Sequence, residues 1–393
     1  MSDIVMKLHT TRSLAFVGLL FVAAIFCLPV AALEIAARQV LLIDYQTWTV
    51  LAQSDPDEPM PPSSMSKLMT AYMLFDAIHS GTISLDDEFQ VSDNAWRKGG
   101  AASGGSTMFL EPRSRVRVED LLRGIIIQSG NDACIVVAEN MSGSEEAFAD
   151  EMTEKAFELG LLGSNFVNST GLPDPDHYTT ARDLAALAKH IIVDFPEYYS
   201  LYKETEFTYN DIKQFNRNPL LYRPGGTDGL KTGYTKAAGY GLTASAVRDG
   251  RRLILVANGM ESAQSRAEET SRLMDWGFRN FTNRDLFRAG ETVSEAEVWL
   301  GMENTIPLVI EEDVTITIPR RSWRTLEVKA VYEGPIAAPI TKGAEIARLV
   351  ISGEEMEPLE YNLVAALSVE KLGFVGRIKA AATQILFGFS GGT

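Results

Sequence analysis

The chain has 393 residues, of which 46% are hydrophobic and 22% charged, the composition of a folded protein and not of a disordered one. This length exceeds what one typical core supports, so we expect more than one domain. The net charge of −16 argues against nucleic acid as a partner, because binding to a phosphate backbone requires a basic surface.

The first 32 residues have the order of a secretory signal peptide. Lys7 and Arg12 precede an apolar run at residues 14–28, and small residues follow up to Ala32. We therefore assign residues 1–32 to a signal peptide that is cleaved after Ala32, with an uncleaved membrane anchor as the alternative. Cleavage would leave Cys134 as the single cysteine, so the mature chain could form no internal disulfide.

Ser64 and Lys67 are the first catalytic candidates. Two prolines precede them and an almost wholly apolar run, residues 68–75, follows up to Gly81, which predicts a buried helix. Residues i and i+3 share a helical face, so the hydroxyl and the amine can lie side by side. A buried lysine loses hydration and its pKa falls, so its neutral amine can accept the serine proton.

Ser129-Gly130-Asn131 lies between two further apolar runs, residues 121–127 and 133–138. We expect Gly130 to separate two buried helices, so that Ser129 and Asn131 protrude from a short turn. A capped turn without a chemical role is the alternative.

Lys231-Thr232-Gly233 precedes two β-rich runs, residues 234–247 and 253–257, which are joined by a charged turn containing Asp249-Gly250. This pattern predicts an antiparallel hairpin. The Lys-Thr-Gly string would then lie at the edge of a sheet.

Similar strings occur elsewhere, and their context distinguishes them. Ser200 and Ser368 each precede a lysine by three residues, but they lie in loop-like and C-terminal sequence, so we expect both at the surface. Ser92 suits a helix N-cap, as does Thr180. Residues 100–107 resemble a phosphate-binding loop without its lysine, and we interpret them as a mobile glycine-rich loop at a cleft rim, with an ordinary surface loop as the alternative.

Beyond Phe278 the pattern changes. Alternating or apolar runs at residues 314–318, 326–331 and 346–351, between Pro and Gly turns, predict a small β-sandwich. We place the boundary near Leu286-Phe287 and assign residues 33–286 to a catalytic domain and residues 287–365 to a β-rich domain without a catalytic set.

The last segment, residues 366–393, predicts an amphipathic helix. Apolar residues from Phe374 to Phe389 fall on one stripe, and cationic residues flank it. The segment is too short, and too interrupted by Gly373 and Gly376, to span a bilayer. We expect it to lie on the membrane surface as an anchor; packing on the β-rich domain is the alternative.

The ordered strings Ser64-Met65-Ser66-Lys67, Ser129-Gly130-Asn131 and Lys231-Thr232-Gly233, together with Gly105–Leu110 and Ala238-Gly239-Tyr240, resemble the low-molecular-mass penicillin-binding proteins. These are serine-type D-alanyl-D-alanine carboxypeptidases, and the resemblance covers nearly the whole chain. It implies an α/β (α+β) fold of the penicillin-binding/β-lactamase-like type, with an antiparallel sheet flanked by helices and an all-α subdomain. A cleft between the sheet and that subdomain would hold the active site.

The resemblance also implies a reaction, a cellular location and binding partners. The substrate would be the terminal D-Ala-D-Ala bond of peptidoglycan stem pentapeptides, and β-lactams would act as inhibitors. The protein would be secreted to the periplasm and attached peripherally to the inner membrane through its C-terminal helix. No metal or organic cofactor is implied.

The same resemblance assigns roles to single residues. Ser64 would be the acyl-ester nucleophile, Lys67 its proton acceptor, and Ser129 a proton relay to the leaving D-alanine. The oxyanion would be held by the backbone N–H groups of Ser64 and Tyr234. The implied substrate-binding residues are Asn131, Lys231, Thr232, Gly233 and Tyr234. The sequence departs from the family pattern at Tyr234, where many members have histidine, and this leaves substrate preference open.

Three alternatives share parts of this pattern. A β-lactamase has all three strings, but the β-rich domain, the terminal helix and the lack of a convincing deacylating glutamate in residues 165–176 favour the carboxypeptidase. A D,D-endopeptidase stays open. A non-catalytic peptidoglycan-binding module would not require these intact serines and lysines. A zinc peptidase is disfavoured, because no His-Glu-x-x-His motif occurs.

Overall fold

The structure, a computed structural model, describes residues 9–12 and 35–378, and its chain divides into two compact units. The first unit ends at Arg279. The second begins at Asn280 and includes the strand His9–Arg12. The position of the predicted domain boundary lies inside a strand of the second unit, Phe281–Phe287.

The helices and strands alternate in the first unit and give way to strands in the second. The helices are α1 (Lys67–His79), α2 (Asp93–Gly99), α3 (Val118–Arg123), α4 (Asn131–Ser142), α5 (Glu145–Glu158), α6 (Ala181–Asp194), α7 (Pro196–Tyr199) and α8 (Ala263–Asn280). The strands are β1 (His9–Arg12), β2 (Gln39–Asp44), β3 (Val50–Ser54), β4 (Glu88–Gln90), β5 (Arg115–Arg117), β6 (Glu206–Tyr209), β7 (Ile212–Phe215), β8 (Thr227–Thr235), β9 (Gly239–Arg248), β10 (Arg251–Met260), β11 (Phe281–Phe287), β12 (Thr292–Trp299), β13 (Thr305–Val309), β14 (Val314–Pro319), β15 (Glu327–Tyr332), β16 (Ile336–Ala337), β17 (Glu345–Gly353) and β18 (Met356–Ala365).

The main sheet of the first unit is antiparallel, with the strand order β3-β2-β10-β9-β8. Asp249 and Gly250 join β9 to β10 with φ angles of 51° and 79°, as a two-residue hairpin turn requires. Strand β8 forms one edge of the sheet and carries Lys231-Thr232-Gly233. The predicted hairpin and the predicted edge position are both confirmed.

Helix α1 lies at the centre of the first unit. It is buried on nearly every face and packs against α4, α5 and α6. The same hydrophobic core includes Leu41 and Ile43 of β2 and Ile254 and Val256 of β10. The one-turn 3-10 helix Ser63–Ser66, which leads into α1, is therefore held by both the helices and the sheet.

Three local signals behave as the sequence predicts. The Ser92 hydroxyl accepts a hydrogen bond from the backbone N–H of Ala95 at 2.8 Å, and Thr180 caps α6 in the same way. Gly81, which follows α1, has a φ of 75°, a conformation that glycine adopts without strain.

The second unit is a β-sandwich, which confirms the predicted fold class. Its larger sheet has the order β1-β15-β17-β18-β13-β12-β16, and β11 pairs with β14. The buried faces of these strands form a separate hydrophobic core. The chain stays paired with this unit as far as Leu372, whose N–H donates to the Leu300 carbonyl at 2.8 Å.

The two predicted terminal segments fall mostly outside the described residues. In the N-terminal segment only β1 is described, and it pairs in parallel with β15. In the C-terminal segment residues 374–378 are helical, with Phe374, Val375 and Ile378 exposed. Among the described residues, no helix combines the length and apolar character that crossing a bilayer requires.

Candidate active site

A cleft of about 540 Å³ lies along the edge strand β8. The residues lining it come from the 3-10 helix before α1, the glycine-rich loop, the turn into α4, the segment after α5, the loop after β7, β8, β9 and α8. They are Ser64, Gly104, Gly105, Ser106, Ser129, Asn131, Thr170, Gly171, Leu172, Arg217, Thr232, Gly233, Tyr234, Thr235, Tyr240 and Arg266. The tertiary fold thus brings all three sequence strings to one cleft.

Lys67 lies beneath Ser64 at the floor of the cleft. Its Nζ is 3.1 Å from the Ser64 Oγ, and only 1% of its surface is exposed. The amine also contacts Asn131 Oδ1 at 2.8 Å and the Thr170 carbonyl oxygen at 2.5 Å. Burial lowers the pKa of Lys67 because the charged amine loses its hydration. A neutral amine at this distance can accept the Ser64 proton.

Lys231 and Ser129 form a second amine and hydroxyl pair. The Lys231 Nζ donates to the Ser129 Oγ at 2.9 Å, and the amine is buried. The pKa of Lys231 is lowered well below its ordinary value, first by loss of hydration and then by repulsion from Lys67. Ser129 has a left-handed backbone, with φ of 61°, at the end of a π-helical turn over Gly124–Gln128. This conformation turns the Ser129 hydroxyl away from the helix ladder and toward the cleft.

Asp132 ties the glycine-rich loop to the Ser-Gly-Asn turn. Its buried carboxylate accepts from the Thr107 hydroxyl at 2.5 Å and from the N–H groups of Met108 and Leu110 at 3.0 and 3.1 Å. The Asn131 N–H donates to the Ser106 carbonyl at 2.7 Å. Residues 104–106 line the cleft, so the predicted position at its rim is confirmed, and these hydrogen bonds tie the C-terminal end of the loop to the turn. The role of Asp132 was missed, although its position directly after Asn131 could have suggested it.

Gly233 allows β8 to approach the turn that carries Ser64. A Cβ at this position would lie 2.9 Å from the Pro62 carbonyl oxygen and 3.1 Å from the Ser63 Cβ. The next residue, Tyr234, is 53% exposed and stacks on Tyr240 with ring centroids 4.2 Å apart. Tyr234, at the position where many family members have histidine, therefore forms an aromatic pair with Tyr240.

Two arginines that the sequence analysis missed also line the cleft. The Arg217 Nη1 donates to the Ser106 Oγ at 2.5 Å, and the Arg266 guanidinium lies 5.6 Å from the Tyr240 ring centroid. Burial lowers the pKa of both guanidinium groups. Their charges favour an anionic ligand, such as a peptide carboxylate. No local motif surrounds either residue, so only their place in the fold identifies them.

His177 lies in a loop, but its ring is buried. The Val167 N–H donates to His177 Nδ1 at 3.1 Å, so the neutral ring carries its hydrogen on Nε2 and donates to the Ser66 Oγ at 2.6 Å. Burial lowers the pKa of His177 to about 4. This neutral ring connects the segment after α5 to the residue beside Lys67.

The remaining candidates stay apart from the cleft. Ser200, Lys203 and Ser368 are exposed, which confirms the predicted surface positions. Cys134 is buried, and burial raises the pKa of its thiol to about 12, although the charges of Lys67 and Lys231 act to lower it. Across residues 9–12 and 35–378, no three His, Cys, Asp or Glu side chains are grouped to hold a metal ion.

Comparison with known proteins gives matches along almost the entire described chain. The family model of D-alanyl-D-alanine carboxypeptidases matches residues 28–262, and that of the penicillin-binding protein 5 C-terminal domain matches residues 281–371. The D-alanyl-D-alanine carboxypeptidase DacC of Escherichia coli is 39% identical over 354 residues, covering 89% of this chain and 88% of the relative. DacA of Haemophilus influenzae is 38% identical over 350 residues, covering 88% of each. The structure of penicillin-binding protein 5 from Haemophilus influenzae superposes with a TM-score of 0.75 at 36% identity, covering 86% of this chain and 98% of the other.

Proposed function

The chain belongs to the D-alanyl-D-alanine carboxypeptidase family, and we propose that it hydrolyses its substrate through an acyl-enzyme on Ser64. The enzyme removes the terminal D-alanine of peptidoglycan stem pentapeptides, and β-lactams acylate it. The observation that carries the assignment of Ser64 is the 3.1 Å contact between its Oγ and the fully buried amine of Lys67.

In the proposed acylation step, the neutral Lys67 amine takes the Ser64 proton while the Ser64 oxygen attacks the carbonyl of the D-Ala-D-Ala bond. The backbone N–H groups of Ser64 and Tyr234 hold the oxyanion that forms. Ser129 then passes a proton to the nitrogen of the leaving D-alanine, and the C–N bond breaks. Hydrogen bonding between Lys231 and Ser129 supports a relay through this hydroxyl.

The terminal carboxylate of the substrate would lie against Lys231 and Thr232, with Arg217 and Arg266 adding positive charge to the same cleft. An approaching carboxylate favours the charged form of the Lys231 amine, so it would reverse part of the lowering of its pKa. Asn131 would hydrogen-bond the peptide on the acyl side. Water then hydrolyses the ester and frees Ser64.

We further propose that the enzyme works in the periplasm, at the surface of the inner membrane. The charge and apolar order of residues 1–32 supports export, and the apolar stripe of residues 374–389 supports a surface anchor. Within that stripe, the exposed Phe374, Val375 and Ile378 supply apolar area available to a bilayer.

Two measurements on the protein from residue 33 onward test the proposal. The first is incubation with a peptide that ends in Lys-D-Ala-D-Ala, in which released D-alanine indicates carboxypeptidase action and internal fragments indicate an endopeptidase. The second is mass spectrometry after reaction with a labelled penicillin, in which we expect the adduct on the peptide that contains Ser64. The matched variants are Ser64→Ala, which should take up no label, and Ser200→Ala, which should label normally. An adduct on Ser200 or Ser368 would contradict the assignment.

A further inference from the structure

The Lys67 amine has three oxygen neighbours, and they are not equivalent. Asn131 Oδ1 and the Thr170 carbonyl oxygen only accept hydrogen bonds, whereas the Ser64 hydroxyl can also donate. A neutral amine has two N–H donors and one lone pair. When the two carbonyl oxygens take both donors, the lone pair is left facing Ser64. The position of the Thr170 carbonyl therefore helps to determine the direction of the lone pair on the Lys67 amine.

The Thr170 carbonyl belongs to residues 168–172, here called the Asn168 turn, which a single side chain organises. The Oδ1 of Asn168 accepts from the backbone N–H groups of Thr170, Gly171 and Leu172 at 3.1, 2.7 and 3.2 Å. It also accepts from the Thr170 hydroxyl at 2.9 Å, and Nδ2 donates to the Leu172 carbonyl at 3.1 Å. This arrangement is an extended form of the side-chain turns that Asn favours.

The Asn168 turn also packs against α1, the helix that begins at Lys67. The Thr70 hydroxyl donates to the Ser169 carbonyl at 2.6 Å, and the Ser169 hydroxyl donates to Glu145 at 2.8 Å. These contacts hold the peptide before Thr170. Asn168 acts on Thr170 itself, through both its N–H and its hydroxyl.

We propose that Asn168 is a positioning residue for acylation: its side-chain amide shapes the turn that presents the Thr170 carbonyl to Lys67 and so aims the amine at Ser64. The inference rests on the proposed function, in which Lys67 accepts the Ser64 proton. It adds a residue that touches neither the substrate nor the reacting atoms.

Replacing Asn168 by alanine removes the five hydrogen bonds that its side-chain amide makes within the Asn168 turn. We expect the acylation rate constant with a penicillin to fall roughly 10- to 100-fold, the range for a small misplacement of a reacting group. The dissociation constant of the complex before acylation should change little, because the ligand carboxylate is held at Lys231 and Thr232. Both constants are obtained from stopped-flow traces over a range of penicillin concentrations.

The conservative variant Asn168→Asp keeps the accepting oxygen. It should recover most of the acylation rate at alkaline pH. Its added negative charge favours the charged form of Lys67, so the acid limb of the pH profile should move to higher pH. A purely structural role would restore stability without moving this limb.

The matched control is Asn165→Ala. Asn165 lies on the same segment and donates to a backbone carbonyl, that of Asp176, at 2.6 Å, and its side chain makes no hydrogen bond to the Asn168 turn. Its acylation rate should remain within about twofold of the parent protein, since loss of a remote hydrogen bond leaves the reacting groups in place. Thermal unfolding of each variant checks its folding, and Asn168→Ser, which retains a single acceptor, replaces the alanine variant if that does not fold.

Four outcomes would overturn the inference: normal acylation by Asn168→Ala, a change in the dissociation constant alone, no recovery in Asn168→Asp at any pH, or an equal loss in Asn165→Ala. The Lys67→Ala variant distinguishes a failure of this inference from a failure of the proposed function. If Lys67→Ala abolishes acylation while Asn168→Ala does not affect it, only the positioning role is wrong. If Lys67→Ala itself acylates normally, the proposed base is wrong.

Discussion

Lys67 and Lys231 are two amines that share the buried floor of one cleft. Loss of hydration lowers the pKa of each, and repulsion from Lys67 lowers that of Lys231 further. Each amine touches one serine hydroxyl, Ser64 and Ser129 respectively. In the proposed mechanism, the first pair acts at the attacking oxygen and the second at the leaving nitrogen.

At the scale of single residues, the first prediction concerns Lys67→Ala. We expect acylation by penicillin to fall by at least about 100-fold, because Ser64 loses its proton acceptor. The protein should remain folded, since removal of the buried amine also removes the cost of taking this polar group out of water. The rate of adduct formation measured by mass spectrometry checks this expectation, with the exposed Lys203→Ala as the control. Acylation at the parent rate by a folded Lys67→Ala protein would remove Lys67 from the mechanism.

A second prediction at this scale concerns His177 and stability. Its pKa is lowered from 6.5 to about 4 in the folded protein, chiefly by burial, with Lys67 adding to the lowering and Asp174 opposing it. Between these two values the unfolded chain binds a proton that the folded protein does not. The contribution of His177 is therefore fully present above about pH 6.5 and is lost toward pH 4, by about 3 kcal/mol in total.

Urea unfolding at several pH values, compared between the parent protein and His177→Gln, isolates this contribution from that of the carboxylates. The free energy of unfolding of the parent should decrease more steeply between pH 6.5 and 4 than that of the variant. Parallel curves would show that the buried ring does not govern acid stability.

At the scale of the elements, the Asn168 turn and the turn before α1 touch through Gly171. Gly171 has a φ of 80°, and a Cβ on it would lie 1.8 Å from the Ser63 carbonyl oxygen. One of the two segments must move if this residue gains a side chain. The residue that would be displaced, Ser63, directly precedes Ser64, the proposed nucleophile.

The prediction is that Gly171→Ala reduces acylation about 100-fold or more, because the displacement reaches Ser64. Gly143→Ala is the matched control, since Gly143 has a similar φ of 82° but open space around its Cβ position. The control should be destabilised only by the left-handed backbone, about 1 kcal/mol, and should acylate normally. Equal acylation by the two variants would mean that the contact with Ser63 does not set the position of the nucleophile.

At the scale of the whole molecule, the prediction concerns a protein that ends at Leu372. Lys371 and Leu372 still pair with the second unit, whereas the helical residues 374–378 expose apolar side chains. Removing residues 373–393 should release the enzyme from membranes and leave hydrolysis of a soluble peptide unchanged. The parent protein should sediment with anionic vesicles, and salt should weaken this association, because apolar burial and attraction of Arg377 and Lys379 to the lipid act together.

Vesicle sedimentation and D-alanine release are measured on both proteins. Equal sedimentation of the shortened protein would exclude this segment as the anchor. Loss of activity on the soluble peptide would assign the segment to the fold instead.

Much of the fold and of the candidate site could be predicted from the sequence alone, because the candidate residues lie in short strings and each string has a clear local context. The apolar run after Lys67 predicts a buried helix, and burial is enough to lower the pKa of that lysine. The β-rich runs around Asp249-Gly250 predict the hairpin that leaves Lys231-Thr232-Gly233 on an edge strand. Caps at Ser92 and Thr180 depend on two or three neighbouring residues, so local patterns identify them.

Other parts were decided only by the tertiary structure, because they depend on contacts between residues far apart in the chain. Arg217 and Arg266 reach the cleft from segments without a motif, and His177 looks like a loop residue until its ring is seen against Ser66. The Thr170 carbonyl has no side-chain signature at all, since any residue supplies one. Its distance of 2.5 Å from Lys67 arises from the packing of the Asn168 turn on α1. Sequence therefore identified the candidate groups for the chemistry, and folding determined which groups hold and orient them.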